Sequence, residues 1–106
     1  MKLPADVVEA IDGGVSQRTG KPLSDHSKKT YKSNLRSLFA STGKKNFEDV
    51  ISDVKGTANT IADNNNIHTR FAHLNAINML FGRVPRFQAS EYAEIAQKWN
   101  DLQREA

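Results

Sequence analysis

Four residues near the middle of one predicted helix have the side chains and the spacing to bind phosphate. At 100° per residue, Lys29, Lys32, Ser33 and Arg36 fall within about 100° of arc on one helix face. Cations on a shared face neutralise phosphates and release the counterions around a nucleic acid, which is the main sequence-independent contribution to DNA affinity. The spacing therefore predicts a polyanion-binding face on this helix, with a solvated basic surface as the alternative.

The following turn and two helix beginnings add to this chemistry. Lys44 and Lys45 continue the basic face beyond the helix. Ser27 and Thr69 lie in first turns, where unpaired backbone amides and a short hydroxyl bind phosphate together. Arginine on a helix reads guanine edges, so Arg70 is a candidate in the later helix. The full predicted DNA-binding set is Ser27, Lys28, Lys29, Lys32, Ser33, Arg36, Lys44, Lys45, His68, Thr69, Arg70 and His73.

The chain offers little for catalysis or metal binding. His68 and His73 are five residues apart and point about 140° apart on a helix, which is not the spacing of a metal-binding pair. There are no cysteines, so thiolate sites and disulfides are excluded. No glycine-rich phosphate loop and no serine–histidine–acid set is present. We expect no metal, no cofactor, no small-molecule substrate and no active site within these residues.

Basic residues are concentrated in two segments. Residues 18–45 carry eight basic side chains and one acidic, a net charge of +7, and residues 67–88 carry three basic side chains and no acidic one. The intervening segment, 46–66, has a net charge of −3. Such separation of charge favours a polyanion-facing side, although the whole chain has a net charge of only +3.

Length and hydropathy place these residues in a soluble helical domain. The chain has 106 residues, of which 38% are hydrophobic, so one core is expected. No apolar run approaches the ~18 residues that span a bilayer, and no signal peptide is recognisable, so we expect no membrane contact and an intracellular location. Hydrophobic spacing predicts helices at 4–12, 26–41, 47–52, 54–63, 67–82 and 91–105, with a continuous helix over 46–63 as the alternative to two.

These elements predict an all-α bundle of four to five helices in residues 24–106, preceded by a short helix and flexible lead in 1–23. In the helix at 67–82, we expect one apolar stripe to face the core, formed by Ile67, Phe71, Leu74, Ile77 and Phe81. The reverse face carries small or hydrogen-bonding residues, which would let the helix backbone approach another surface. Those residues are His68, Thr69, Ala72, His73, Ala76 and Met79.

The stretch around Ser27, Thr30 and Tyr31, followed by Leu35 and Leu38-Phe39, resembles the opening of tyrosine-recombinase core-binding domains. A later helix with Ile67, Arg70, Leu74 and Ile77 after a polar loop is similar to another helix of that family. The resemblance covers about 24–105 and is strongest to integrase-like proteins of phages and large DNA viruses.

The resemblance implies a SAM-like helical domain that clamps one side of a DNA duplex, with its first and third long helices facing the DNA. It implies roles in site-specific recombination or integration, with double-stranded DNA and other DNA-bound protomers as partners. The family's catalytic Arg, Lys, His and Tyr residues have no counterpart here, so we expect binding rather than catalysis. The rival hypothesis is a protein-interaction module in which Trp99 and Leu102 dock a partner.

Overall fold

The computed structural model describes residues 2–14 and 20–105 and confirms an all-α fold. Five of the helices belong to the predicted 24–106 domain. Part of the predicted loop, positions 15–19, lies outside the described residues. The helices are α1 (Ala5–Asp12), α2 (Asp25–Thr42), α3 (Phe47–Ser52), α4 (Val54–Ala62), α5 (Ile67–Arg83) and α6 (Ala93–Glu105), with single 3₁₀ turns at Pro85–Gln88 and Ser90–Tyr92 between the last two.

Local capping explains why residues 46–63 form two helices instead of one. Asp53 has non-helical dihedral angles, φ −84° and ψ 72°, and its side chain accepts a hydrogen bond from the Gly56 amide at 3.1 Å. It therefore ends α3 and caps α4. A Cβ atom at position 56 would collide with the Asp53 carboxylate, which explains a glycine in the first turn of a helix. The prediction of two helices is confirmed.

Trp99 of α6 lies at the centre of the bundle. Its side chain is fully buried, and its indole Nε1 donates a hydrogen bond to the Ile51 carbonyl of α3 at 2.9 Å. Burial of an aromatic ring of this size contributes several kcal/mol, and the hydrogen bond removes the cost of burying the indole N–H. Trp99 is thus a core residue and is not free to dock a partner. From α1, Val7 and Ile11 are also fully buried in this core.

The structure confirms the predicted core face of α5 in its later turns, where Leu74 and Ile77 are buried, but not at its beginning. Ile67 and Phe71, expected in the core, have 51% and 37% of their surface exposed, whereas Ala76 and His73, expected on an open face, are 0% and 5% exposed. The helix packs against α1, α2, α4 and α6, so it is enclosed on several sides. Small side chains such as Ala76 allow these helices to approach closely, which accounts for the small-residue pattern without DNA.

His73 is a buried histidine, so its assignment as a DNA-binding residue is wrong. Its Nδ1 atom is shielded from solvent and makes no hydrogen bond within the described residues. Burial lowers the pKa of His73 from its usual value of 6.5, because an imidazolium loses hydration in this position. His73 therefore contributes to the bundle as a neutral side chain.

We predict that His73 makes the free energy of unfolding pH-dependent. Because its folded-state pKa lies below that of the unfolded chain, the unfolded chain takes up the proton first, and stability falls as pH decreases below about 6.5. The slope cannot exceed about 1.4 kcal/mol per pH unit, the value for uptake of one proton on unfolding. Urea unfolding between pH 7 and 5.5 measures it. His73→Met should flatten this slope, and His26→Gln, at an exposed position, is the control; equal slopes in wild type and His73→Met would contradict the assignment.

Candidate nucleic-acid interface

Four of the predicted cations line one open groove between the end of α1 and the first three turns of α2. The groove has a volume of about 410 Å³. Two carboxylates share it, so the lining has a net charge of +2. Its residues are Asp12, Asp25, Lys28, Lys29, Lys32 and Arg36. The structure therefore brings together the centre of the predicted basic face.

The cations of this groove are not equivalent. The Lys32 ammonium lies 2.8 Å from the Asp12 carboxylate, an ion pair that attaches α2 to the end of α1. Among the described residues, Lys28, Lys29 and Arg36 have no carboxylate within ion-pairing distance. Lys29 and Arg36 are exposed, and Lys28 is half-buried. These three side chains are the ones available to an external anion.

The turn after α2 contributes less than the sequence predicted. Lys44 forms an ion pair with Asp53, with 2.8 Å between Nζ and Oδ2. This contact raises the pKa of Lys44 and lowers the pKa of Asp53, with the hydrogen bond between them as the largest cause. Since Asp53 also caps α4, Lys44 supports the junction of α3 and α4. Lys45 remains exposed.

The first-turn amides assigned to phosphate already have partners. In α2 the Ser27 amide donates to Ser24 Oγ at 3.1 Å, and the two hydroxyls also bond to each other at 3.1 Å. In α5 the amides of His68 and Thr69 both donate to Asn66 Oδ1, at 2.9 and 3.4 Å. Side-chain caps thus satisfy these amides, and the predicted phosphate contacts through them would require displacement of the caps.

A second, polar groove runs between α2 and α5, with a volume of about 230 Å³. Its hydroxyl and amide groups can donate and accept hydrogen bonds, and the small Ala72 keeps its α5 side shallow. Asn75 also accepts a hydrogen bond from Gln103 of α6, which holds its amide in place. The lining residues are His26, Ser27, Thr30, Tyr31, Asn34, Ala72 and Asn75.

The two grooves flank one exposed ridge of α2. On a helical wheel Ser33 lies between Lys29 and Thr30, and Lys29 and Asn34 project about 140° apart. Ser33 is exposed, and it stands on this ridge. The cationic groove faces α1 and the polar groove faces α5, so a ligand laid over α2 reaches both.

The α5 candidates are dispersed. His68 is exposed and Thr69 is half-buried at the start of the helix. Arg70 lines a different groove, on the α4 side of α5, and therefore does not join the α2 surface. His73 is in the interior. Ala72 and Asn75 are the α5 residues that share a groove with α2.

In the second basic segment, residues 67–88, Arg86 holds the bundle together. The Arg86 guanidinium, in the turn after α5, donates to Asp6 of α1 at 3.2 Å and forms an ion pair with Glu48 of α3. Its charge is thereby used to join three parts of the bundle. The pKa of Glu48 is lowered chiefly by a backbone hydrogen bond at the start of α3, with Arg86 as a further cause.

Sequence reasoning missed Thr30 and Asn34 as members of the candidate surface. Their spacing of four residues places them on one helix face beside Ser27, which is a usable signal. Within residues 2–14 and 20–105, no group of three or more metal-binding side chains occurs, and none of the helices is long and apolar enough to cross a membrane.

Comparison with known proteins gave no relative. No family model matches the chain, and neither the curated proteins nor the solved structures include a match to it.

Proposed function

We propose that this chain binds double-stranded DNA through the exposed side of α2. The proposal rests on three cations, Lys28, Lys29 and Arg36, that have no carboxylate partner among the described residues and lie on a helix that also borders a polar groove. Cations that are not neutralised within the protein exchange their counterions for phosphates, and this exchange supplies most of the affinity in non-specific DNA binding.

The two grooves would make different kinds of contact with DNA. Phosphate contacts from Lys29 and Arg36 position the duplex, while Thr30 and Asn34 supply neutral hydrogen-bonding groups beside them. An asparagine amide pairs with adenine in two hydrogen bonds when it reaches the major groove. The phosphate contacts weaken as salt is added, whereas the neutral hydrogen bonds do not.

We further propose that the chain is the core-binding half of a tyrosine recombinase or integrase, which holds DNA during site-specific recombination or integration. The all-α fold and the packing of the basic helix α2 against α5 agree with this hypothesis. Its role in that setting is to position DNA, together with other protomers, and not to break strands.

A protein-interaction module remains the second candidate function. Burial of Trp99 removes the anchor that the sequence suggested for it. The exposed Ile67 and Phe71 instead favour a different docking surface, on the α4 side of α5.

We predict that affinity for a short DNA duplex falls linearly with salt on a log–log plot. Each neutralised phosphate contributes a slope of about −0.9, so three to five contacts give about −2.7 to −4.5. Fluorescence anisotropy at several salt concentrations measures the slope. A value shallower than about −1 would contradict a phosphate-binding α2.

Charge reversal at the exposed cations tests the location of the interface. Lys29→Glu/Arg36→Glu should weaken duplex binding by roughly a hundredfold or more, since two charged contacts at ~1.5 kcal/mol or more each are lost, and the salt slope should become shallower by about 1.8. Lys55→Glu/Lys98→Glu is a matched control, because it makes the same charge change at exposed positions on α4 and α6. Equal losses in both variants would indicate a general charge effect and would refute the assignment to α2.

Neutral substitutions in the polar groove should give a different signature. Thr30→Ala/Asn34→Ala is expected to weaken duplex binding by about 0.5–1.5 kcal/mol per lost hydrogen bond while the salt slope stays constant. Asn59→Ala/Asn100→Ala provides the control at exposed positions on α4 and α6. Unchanged affinity in the groove variant would exclude this groove from the interface.

A further inference from the structure

We propose that the apolar groove between α4 and α5 is a docking site for one acidic amphipathic helix of a partner protein. This inference is independent of DNA binding by α2. It concerns a surface on the other side of α5.

The groove is formed almost entirely by hydrocarbon. It has a volume of about 370 Å³, and Arg70 supplies its single charged side chain. Ile67 and Phe71 expose 51% and 37% of their surface at its edge. Exposed apolar side chains that cluster in a groove are typical of binding surfaces, whereas isolated ones are not. The lining residues are Ile61, Ala62, Ile67, Arg70, Phe71 and Leu74.

The neighbouring contacts of α6 indicate that the groove fits a helix. On the α4 side, Leu102 of α6 shares a groove with Val54 and Ala58, and on the α5 side Gln103 donates a hydrogen bond to Asn75. The docking groove begins about one turn further along both helices, at Ile61 on α4 and at Phe71 and Leu74 on α5. It therefore continues the seat of α6 past the described end of that helix.

The occupant that fits such a seat has the pattern of α6 itself. In α6, Ile95, Trp99 and Leu102 recur at steps of four and three residues and face the bundle. A partner helix with apolar residues at the same steps would cover Ile67 and Phe71. About two to three turns of helix match the length of the groove.

The positive charge of Arg70 favours a partner helix that carries acidic residues. Among the described residues that line the groove, Arg70 alone is charged. A glutamate or aspartate on the docked helix would therefore gain an ion pair at the edge of an apolar contact, and a lysine would be repelled. A second copy of this chain is a poorer occupant, since a two-fold contact through this groove would bring two Arg70 side chains together.

A synthetic helical peptide tests the proposal. The probe is a peptide of about three turns with leucines at alternating three- and four-residue steps and glutamates beside them; the control peptide has lysine at each glutamate. Titrated into the isotope-labelled full chain, the acidic peptide should shift the amide signals around Phe71 and Leu74. It should bind roughly tenfold or more tightly than the basic one.

Two variants complete the test. Phe71→Ser, at a partly exposed position, should weaken the acidic peptide roughly tenfold or more while the duplex affinity stays that of the wild type. Arg70→Glu should invert the preference in favour of the basic peptide. Saturable binding with both effects supports the proposal. Absence of binding at millimolar peptide, equal affinity for both peptides, or self-association of the chain that Phe71→Ser abolishes would overturn it. Because duplex binding is measured separately, a failure here is distinct from a failure of the DNA proposal.

Discussion

The enclosure of α5 by its neighbours is the constraint on which the rest of the structure depends. This helix packs against α1, α2, α4 and α6 and contributes His73, Ala76 and Leu80 to the interior. Its small residues are needed where α2 approaches, and its position fixes both the polar groove on the α2 side and the apolar groove on the α4 side. The two candidate surfaces are thus consequences of one packing arrangement.

Ion pairing decides which basic residues are free to act on a ligand. Lys32, Lys44 and Arg86 each hold a carboxylate of another element, so their charges stabilise the contacts of α1, α3 and α4. Exposed pairs of this kind contribute modestly to stability, but they reduce the field that an external phosphate would meet. In the part of the chain that the structure describes, Lys29 and Arg36 have no such partner, and for that reason the proposed interface is centred on α2.

Local signals in the sequence predicted the helices well. Hydrophobic spacing located the helices, and the structure shows the local residues that end them. Ser24 and Asn66 accept hydrogen bonds from first-turn amides, Gly43 ends α2 with a φ of 68°, and the break at Asp53 follows from a side-chain cap. These features depend on residues close together in the chain. The basic face of α2 was predictable for the same reason, since helical spacing alone places Lys29 and Arg36 together.

Features that depend on distant residues were not predictable. The sequence does not reveal that Lys32 pairs with Asp12 or that Arg86 pairs with Asp6 and Glu48. Only the tertiary fold brings these partners together. The exposure of Ile67 and Phe71 was wrongly predicted, because both have the helical spacing of core residues, whereas Leu74, further along the same stripe, is buried as predicted. A helix enclosed on several sides has no single apolar stripe to detect.

The most direct test of the central claim is a chemical-shift map of the isotope-labelled chain titrated with a short DNA duplex at low salt. The account predicts that the largest changes occur in α2, from His26 to Ser37, and at the Ala72–Asn75 edge of α5, and that they diminish as salt is added. Changes that are absent, or that concentrate on α4 and α6 around Lys55 and Lys98, would contradict it.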